Sequence, residues 1–315
     1  MADDLSRVER ALADSVRTGD SLLTEIASHL IVAGGKRVRP GFAIAAAAAV
    51  ADVGSATDDV VMGAVSVELV HLGSLYHDDV MDEAQIRRTV DSVNARWGNL
   101  KAILAGDFLL AKASEIAAQL GTEVAGLLAA TIGRLCEGQV LELQNAYNVD
   151  RTESAYLASI EGKTAALFAS ACRIGAIVGG LDRDHVNRLT DFGTQFGYAF
   201  QIVDDILDVT ATDAQLGKPA GNDLVEGVYT LPVIRSLQGQ NGEALRQILG
   251  RQLTESDRDA ARHIVRSNGA IPASVEVAKE YVDAAVATVS TMQGPGAAAL
   301  TNAAEHLLTN IPVAT

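Results

Sequence analysis

The sequence is poor in the residues that build strands, tight turns and covalent cross-links. Of its 315 residues only 4% are aromatic and six are proline, and alternating β-branched stretches are hard to find. Alanine dominates instead, a balance that predicts a mostly helical chain. The two cysteines, Cys136 and Cys172, stand apart within helical patterns and match no metal or redox spacing. They read as reduced core residues of a cytoplasmic protein, not as a disulfide framework. Positive charge is scarce as well, with 25 Lys and Arg against 40 Asp and Glu and a formal charge of −15. That argues against nucleic acid as a partner, and any anionic ligand has to be met by local cations or by metal. Long apolar runs are missing too. The longest, "FAIAAAAAVA" from Phe42 to Ala51, has ten residues and stops at Asp52, too short to span a bilayer. A buried core helix is expected there, and no transmembrane segment. The start, "MADDLSRVERALADSV", lacks the basic end and apolar run of a secretory signal.

Helical periodicity runs almost end to end, broken mainly by Gly, Asn, Asp and Pro. The spacing predicts helices at about 4–16, 20–33, 40–52, 57–82, 99–119, 122–147, 152–179 and 183–210. Shorter ones follow near 229–238, 242–250, 255–267, 273–292 and 295–309. The length allows one large domain or two, but no low-complexity linker or fixed repeat divides the chain, so one all-α domain over 1–315 is the simplest expectation. Segments such as "AALFASACRIGAIVGGL" are apolar around their whole circumference, as helices inside a large bundle are. The exception is 210–232, polar and rich in Gly and Asp, where function is usually displayed.

Two acid clusters interrupt this pattern. "SLYHDDVMDEAQIRR" gathers Asp78, Asp79, Asp82 and Glu83, and "QIVDDILD" gathers Asp204, Asp205 and Asp208, so each contains D-D-x-x-D. Residues four apart on a helix lie about 40° from each other, so Asp78 and Asp82 share a face flanked by Asp79. Like charges so placed destabilise a helix unless something positive neutralises them. Carboxylates without His or Cys partners suit a hard, oxygen-preferring cation such as Mg²⁺, which also takes ligand phosphates. The plain alternative is a pair of solvated acidic helix ends. His77 beside Asp78 suggests a second one, a metal-dependent phosphohydrolase, although that class needs further His ligands and His29, His185, His263 and His306 have no matching acids in sequence.

Cations stand near these acids. "GGKRVRP" places Lys36, Arg37 and Arg39 at a glycine-opened break before a proline-started helix, a favourable position for phosphate. Arg87 and Arg88 follow the first cluster, Lys163 begins "KTAALF", and Lys218 sits in the polar segment. Each alone is ordinary surface charge. In an acidic protein, together, they suit a diphosphate.

"GGKRVRP", "HLGSLYHDDVMD" with its following "RR", "NARWGNLKAILAGDFLLAKA", "GKTAAL", "FQIVDDILD" and "GKPAGNDL…YTLP" together resemble the trans-isoprenyl diphosphate synthases of the polyprenyl synthetase family, in family order over about 20–290. The resemblance implies one helical bundle whose two Asp-rich motifs face a central cavity and hold three Mg²⁺ on an allylic diphosphate. It implies Asp78, Asp82 and Asp204 as direct metal ligands, Asp208 as a metal partner directly or through water, and Asp79 and Asp205 as catalytic acids supporting them through water. Arg87, Lys163 and Lys218 would hold the allylic diphosphate. Lys36, Arg39, His71 and Arg88 would bind isopentenyl diphosphate, and Gln201 and Thr164 would lie beside the developing allylic cation. The chemistry implied is head-to-tail condensation of the two diphosphates, and the family is commonly homodimeric.

Two positions depart from the family pattern. "RRTVDS" replaces R-R-G-x-P-T in the segment that seats Arg88, and Val228 replaces a lysine in "EGVYTLP". Helical geometry puts Ser74, His71 and Val67 on the face of Asp78, with Gly73 and Val70 at its flanks and Tyr76 pointing away. In the family, the residues four and five before the first motif floor the tail pocket. Here they are Ser74 and Gly73, both small, so the expected product is a long polyprenyl diphosphate, with a short-chain farnesyl or geranylgeranyl product as the alternative. Gly73 has a competing reading as a site of tight helix packing. The rival functions are a class I terpene cyclase, against which "DDILD" and "GGKRVRP" count, and a non-catalytic subunit of a heteromeric synthase, to which Val228 gives weight.

Overall fold

The computed structural model describes residues 2–212, 220–309 and 311. Its helices are α1 (Ala2–Ser15), α2 (Ser21–Val32), α3 (Val38–Ala47), α4 (Asp58–Met81), α5 (Val93–Trp97), α6 (Asn99–Gln119), α7 (Thr122–Gln144), α8 (Glu153–Ile160), α9 (Ala166–Val178), α10 (Arg183–Thr210), α11 (Asn222–Glu226), α12 (Leu231–Gln238), α13 (Gly242–Ile248), α14 (Glu255–Ser267), α15 (Ala270–Val289) and α16 (Pro295–Thr309). A π-helical turn, Glu161–Ala165, joins α8 to α9. Among the described residues the strands are β1 (Ile86–Arg87) and β2 (Val90–Asp91), an antiparallel pair. The expected all-α class is what the chain adopts. The sequence pattern missed the small hairpin, the short helices α5 and α11, and the π turn, which are too brief to carry a period.

The chain forms two compact units. One comprises Met1–Ile132, Leu167–Thr190 and Val289–Leu300, and the other Gly133–Ala166, Asp191–Thr288 and Thr301–Thr315. In the first, α4 packs most extensively on α6 and then on α3 and α1. It starts on an N-cap, Thr57, whose side chain accepts from the Val60 N–H, and its middle is buried nearly all round. The alanine-rich α3 is buried from Phe42 to Ala47 as expected, although the helix ends there and not at Asp52. In the second unit, α8, α10 and α12 to α15 share one apolar cluster around Tyr156, Ile206, Leu231 and Leu245.

Two expectations need correction. Cys172 is buried, and burial pushes its thiol pKa up, but Cys136 is exposed on α7 and is not a core residue. An uninterrupted-run criterion also undercounts apolar helices. Both α4 and α7 are long and apolar enough to cross a membrane by length and composition. The most apolar stretch of α4 is 72% buried and that of α7 only 22%, so the first is a core helix and the second presents apolar residues outward.

The β1–β2 turn consists of Arg88 and Thr89, with φ of 52° and 66°, closed by the Arg87–Val90 pair. A two-residue hairpin with both central residues left-handed favours Gly or Asn, and a β-branched side chain suits it poorly. This is the "RRTVDS" departure seen in three dimensions. Thr89→Gly is expected to raise stability by about 1 kcal/mol, measured as a higher urea midpoint. An unchanged midpoint would show that the turn carries no strain.

Candidate functional site

In the first unit, α4 delivers its acids at its C-terminal end in two different environments. Asp78 is half-buried and Asp82, the C-cap, is exposed, whereas Asp79 has no exposed surface. Asp79 Oδ1 accepts from Arg87 Nε at 2.7 Å and lies 2.6 Å from Nη2, while its Oδ2 is buried without a partner. Burial pushes the Asp79 carboxyl pKa up, and Arg87 pulls it back. Arg87, expected on the allylic diphosphate, is thus held by an acid of the motif it follows and keeps a partly exposed side chain.

Three further arginines of this unit, Arg37, Arg39 and Arg88, lie around Glu68. Arg37 donates to Glu68 at 2.9 Å, to Glu9 at 2.6 Å and 3.1 Å and to the Ile31 carbonyl at 3.0 Å, a buried structural pair. Arg39 lies 4.5 Å over the Phe168 ring with its Nε buried and unpartnered, and burial brings its pKa down to about 10. Arg88 donates to the carbonyls of Leu30 and Gly34. Burial together with Arg39, Arg88, Arg87 and Arg37 holds His71 well below the usual histidine range, so it is neutral. Lys36 is exposed. The structure therefore gathers Arg39, His71 and Arg88 into one cationic neighbourhood and shows Arg37 to be committed to the core. Burying the Glu68 carboxylate inside it costs desolvation, which the paired Arg37 offsets.

The presumed tail face is mixed. Gly73 lies against α6: an added Cβ would sit 3.1 Å from both the Gly106 carbonyl and Leu110, which gives the packing reading a concrete contact. Ser74 is half-buried, its hydroxyl donating to the His71 carbonyl at 2.9 Å, and Val70 is fully buried. Tyr76 turns to α2, donating to the Ile26 carbonyl at 2.7 Å. His77 approaches the Ile103 carbonyl at 3.2 Å and Asp107 at 3.4 Å, which gives the phosphohydrolase reading no further His ligand.

In the second unit the π turn sets the geometry. It is squeezed between two glycines of neighbouring helices: a Cβ on Gly138 of α7 would sit 2.3 Å from the Lys163 nitrogen, and one on Gly197 of α10 2.4 Å from Ala165 Cα. Single π turns are frequent at functional sites because the extra residue redirects side chains. Here Thr164 Oγ1 donates to Gln201 at 2.7 Å, Gln201 Nε2 donates to Asp205 Oδ1 at 2.8 Å, and the Tyr156 hydroxyl donates to Asp205 Oδ2 at 2.5 Å. Burial pushes Asp205 up to about 7 against those two hydrogen bonds. Lys163 pairs with Glu142. Asp204 is exposed, while Asp208 is buried and accepts from the Asp223 N–H at 3.4 Å. A cavity of about 90 Å³ is bordered by Lys163, Gln201, Asp204, Asp205, Arg151 and Val228 among others. Lys218 lies outside the described residues.

The donor set suits a hard cation, since both motifs offer carboxylate oxygen alone, and the orphaned Oδ2 of Asp79 adds a buried acceptor. Among the described residues no three His, Cys, Asp or Glu side chains form a ready-made cage. A cation here would complete its shell with water and ligand oxygens, as Mg²⁺ habitually does.

Sequence reasoning missed Tyr156, Glu142, Arg151 and Glu68. Tyr156 was within reach, since it precedes Lys163 by seven residues, about two helical turns. Arg151 precedes α8 with no period to mark it.

Compared with known proteins, residues 20–266 match the sequence profile described as polyprenyl synthetase. The chain is 39% identical over 288 residues to heptaprenyl diphosphate synthase component 2 of Geobacillus stearothermophilus, covering 91% of this chain and 89% of that one. It is 39% identical over 268 residues to the geranylgeranyl diphosphate synthase of Methanosarcina mazei, covering 83% and 81%. A crystal structure of polyprenyl synthase from Caulobacter crescentus, complexed with calcium and isoprenyl diphosphate, superposes with a TM-score of 0.91 at 33% identity, covering 99% and 96%.

The glycine contacts yield a direct test. An added Cβ on Gly162 would meet the Arg134 carbonyl at 2.6 Å, so Gly162→Ala is expected to cost about 1–3 kcal/mol, read from urea unfolding. An unaltered midpoint would mean that the π turn is not fixed by this approach.

Proposed function

The chain belongs to the polyprenyl synthetase family, and from that membership we propose that it condenses an allylic diphosphate with isopentenyl diphosphate to make a long polyprenyl diphosphate. The observation that carries this reading is the repeated acid arrangement: in each D-D-x-x-D motif the middle aspartate, Asp79 or Asp205, is buried and held by its own chain, while Asp82 and Asp204 lie at the surface and Asp78 is half-buried. We read the whole of 1–315 as one catalytic domain.

Mg²⁺, three ions by family analogy, would be held by Asp78, Asp82, Asp204 and Asp208 and would neutralise the diphosphate as it leaves. Arg87, Lys163 and Lys218 would bind the allylic diphosphate. Lys36, Arg39 and Arg88, with neutral His71, would bind isopentenyl diphosphate. The allylic C–O bond breaks, the isopentenyl double bond attacks the allylic carbon, and the departing pyrophosphate takes the proton lost from the adduct. Gln201 and Thr164, fixed by the hydrogen-bond chain to Asp205, present oxygen dipoles that suit the developing positive charge. The protein supplies position and charge, with no covalent nucleophile needed.

Product length is read from the tail face, since a heptaprenyl and a geranylgeranyl synthase are equally similar at 39%. Ser74 is small and half-buried, and neither it nor Gly73 brings an aromatic ring to this face. We also propose a cytoplasmic homodimer. Leu100 and Leu104, 80% and 64% exposed, with Ile103 make an i, i+3, i+4 apolar stripe on α6 that a second copy would cover.

Incubation of the purified chain with Mg²⁺, farnesyl diphosphate and labelled isopentenyl diphosphate is expected to give products longer than C20, and chelation with EDTA to abolish them. Products stopping at C20 would sink the long-chain reading. Activity of the chain alone would dispose of the non-catalytic-subunit alternative. Ser74→Phe is expected to shorten the product, and is a cleaner probe than Gly73→Phe, where the added ring would collide with α6. Leu104→Glu is expected to shift the protein to monomer in sedimentation analysis; an unshifted dimer would place the interface elsewhere.

A further inference from the structure

Arg151 is the least explained charged group in the second unit. It is 4% exposed, immediately before the Thr152 N-cap of α8. Its Nη1 donates to the Tyr229 carbonyl at 3.0 Å and its guanidinium sits 5.5 Å over the Tyr156 ring. Nε and Nη2 are buried and have no hydrogen-bond partner. A buried guanidinium with two idle donors and no carboxylate in contact is costly, and such a group is retained where something else fills it.

Its surroundings say what that filler is. Arg151 borders the cavity of about 90 Å³ shared by Lys163, Gln201, Asp204 and Val228. The carboxylates nearest to it are occupied: Glu142 by Lys163, and Asp205 by Tyr156 and Gln201. They act on Arg151 through their field, which opposes the lowering of its pKa by burial. Metal is excluded as the occupant at Arg151 itself, since a fixed positive charge repels it. A planar fork with two free N–H groups matches the paired oxygens of a phosphoryl group.

We propose that Arg151 binds the diphosphate of the allylic substrate in this cavity, which Val228 also borders. The inference rests on the function proposed above and adds a residue to it. A purely structural Arg151 would serve only to pin Tyr229, and its loss would lower stability without selecting between substrates.

The test compares the full-length wild type with Arg151→Gln, Arg151→Lys and the double variant Arg151→Gln/Val228→Lys, which returns a cation to the same cavity from another residue that borders it. In Mg²⁺ buffer, calorimetry with inorganic pyrophosphate is expected to show at least tenfold weaker binding for Arg151→Gln, an intermediate loss for Arg151→Lys, and partial recovery in the double variant. The KM for farnesyl diphosphate should rise in parallel, with the KM for isopentenyl diphosphate within twofold of wild type. A folded Arg151→Gln that binds pyrophosphate as wild type does overturns the proposal. Should that variant fail to fold, Arg151→Lys decides alone: pyrophosphate binding within twofold of wild type overturns it. Wild type that elongates nothing but binds pyrophosphate in an Arg151-dependent way would sink the functional reading and leave this one standing.

Discussion

The structure depends on how it disposes of negative charge at the ends of helices whose bodies are apolar. A D-D-x-x-D run cannot turn all three acids outward, because 3.6 residues per turn spread them over a wide arc. In both motifs the middle aspartate falls on the buried side and is held there by its own unit: Asp79 is paired with Arg87, and Asp205 accepts hydrogen bonds from Tyr156 and Gln201. Removing any of these partners would strand a carboxylate in the core, a far larger penalty than losing a surface pair.

The cationic side follows the same logic in reverse. Arg37 is consumed by Glu68 and Glu9, Arg88 by backbone carbonyls, and Arg39 by the face of Phe168. So held, Arg39 and Arg88 would lose little side-chain entropy on meeting an anion, whereas Arg37 is committed to the core. His71 stays neutral among them because a further positive charge there would be surrounded by like charges.

Much of this was legible in the sequence. Apolar periodicity located every long helix to within a few residues, because a buried stripe must repeat at 3.6. Residue type and spacing picked out both acid clusters and most of the cations. What escaped has a common physical cause. Arg37 and Arg39 look alike in "GGKRVRP", and only the approach of α1 and α4 assigns one to the core. Tyr156, Glu142 and Arg151 reach the second cluster from separate elements. Gly73 left two readings open in sequence, tail space or tight helix packing, and α6 lying against it supplies the contact of the second. Cys136 was placed inside because α7 is apolar, but its apolar side faces outward.

The π turn between α8 and α9 has a consequence for anyone altering this chain. It inserts one residue into what otherwise reads as continuous helix from Glu153 to Val178, so the azimuth of every later position is displaced by about 100° from where a regular helix would carry it. Face assignments made on one side cannot be extrapolated across it. A graft that exchanged this segment for an uninterrupted helix of equal length would keep every hydrophobic residue and turn most of them the wrong way.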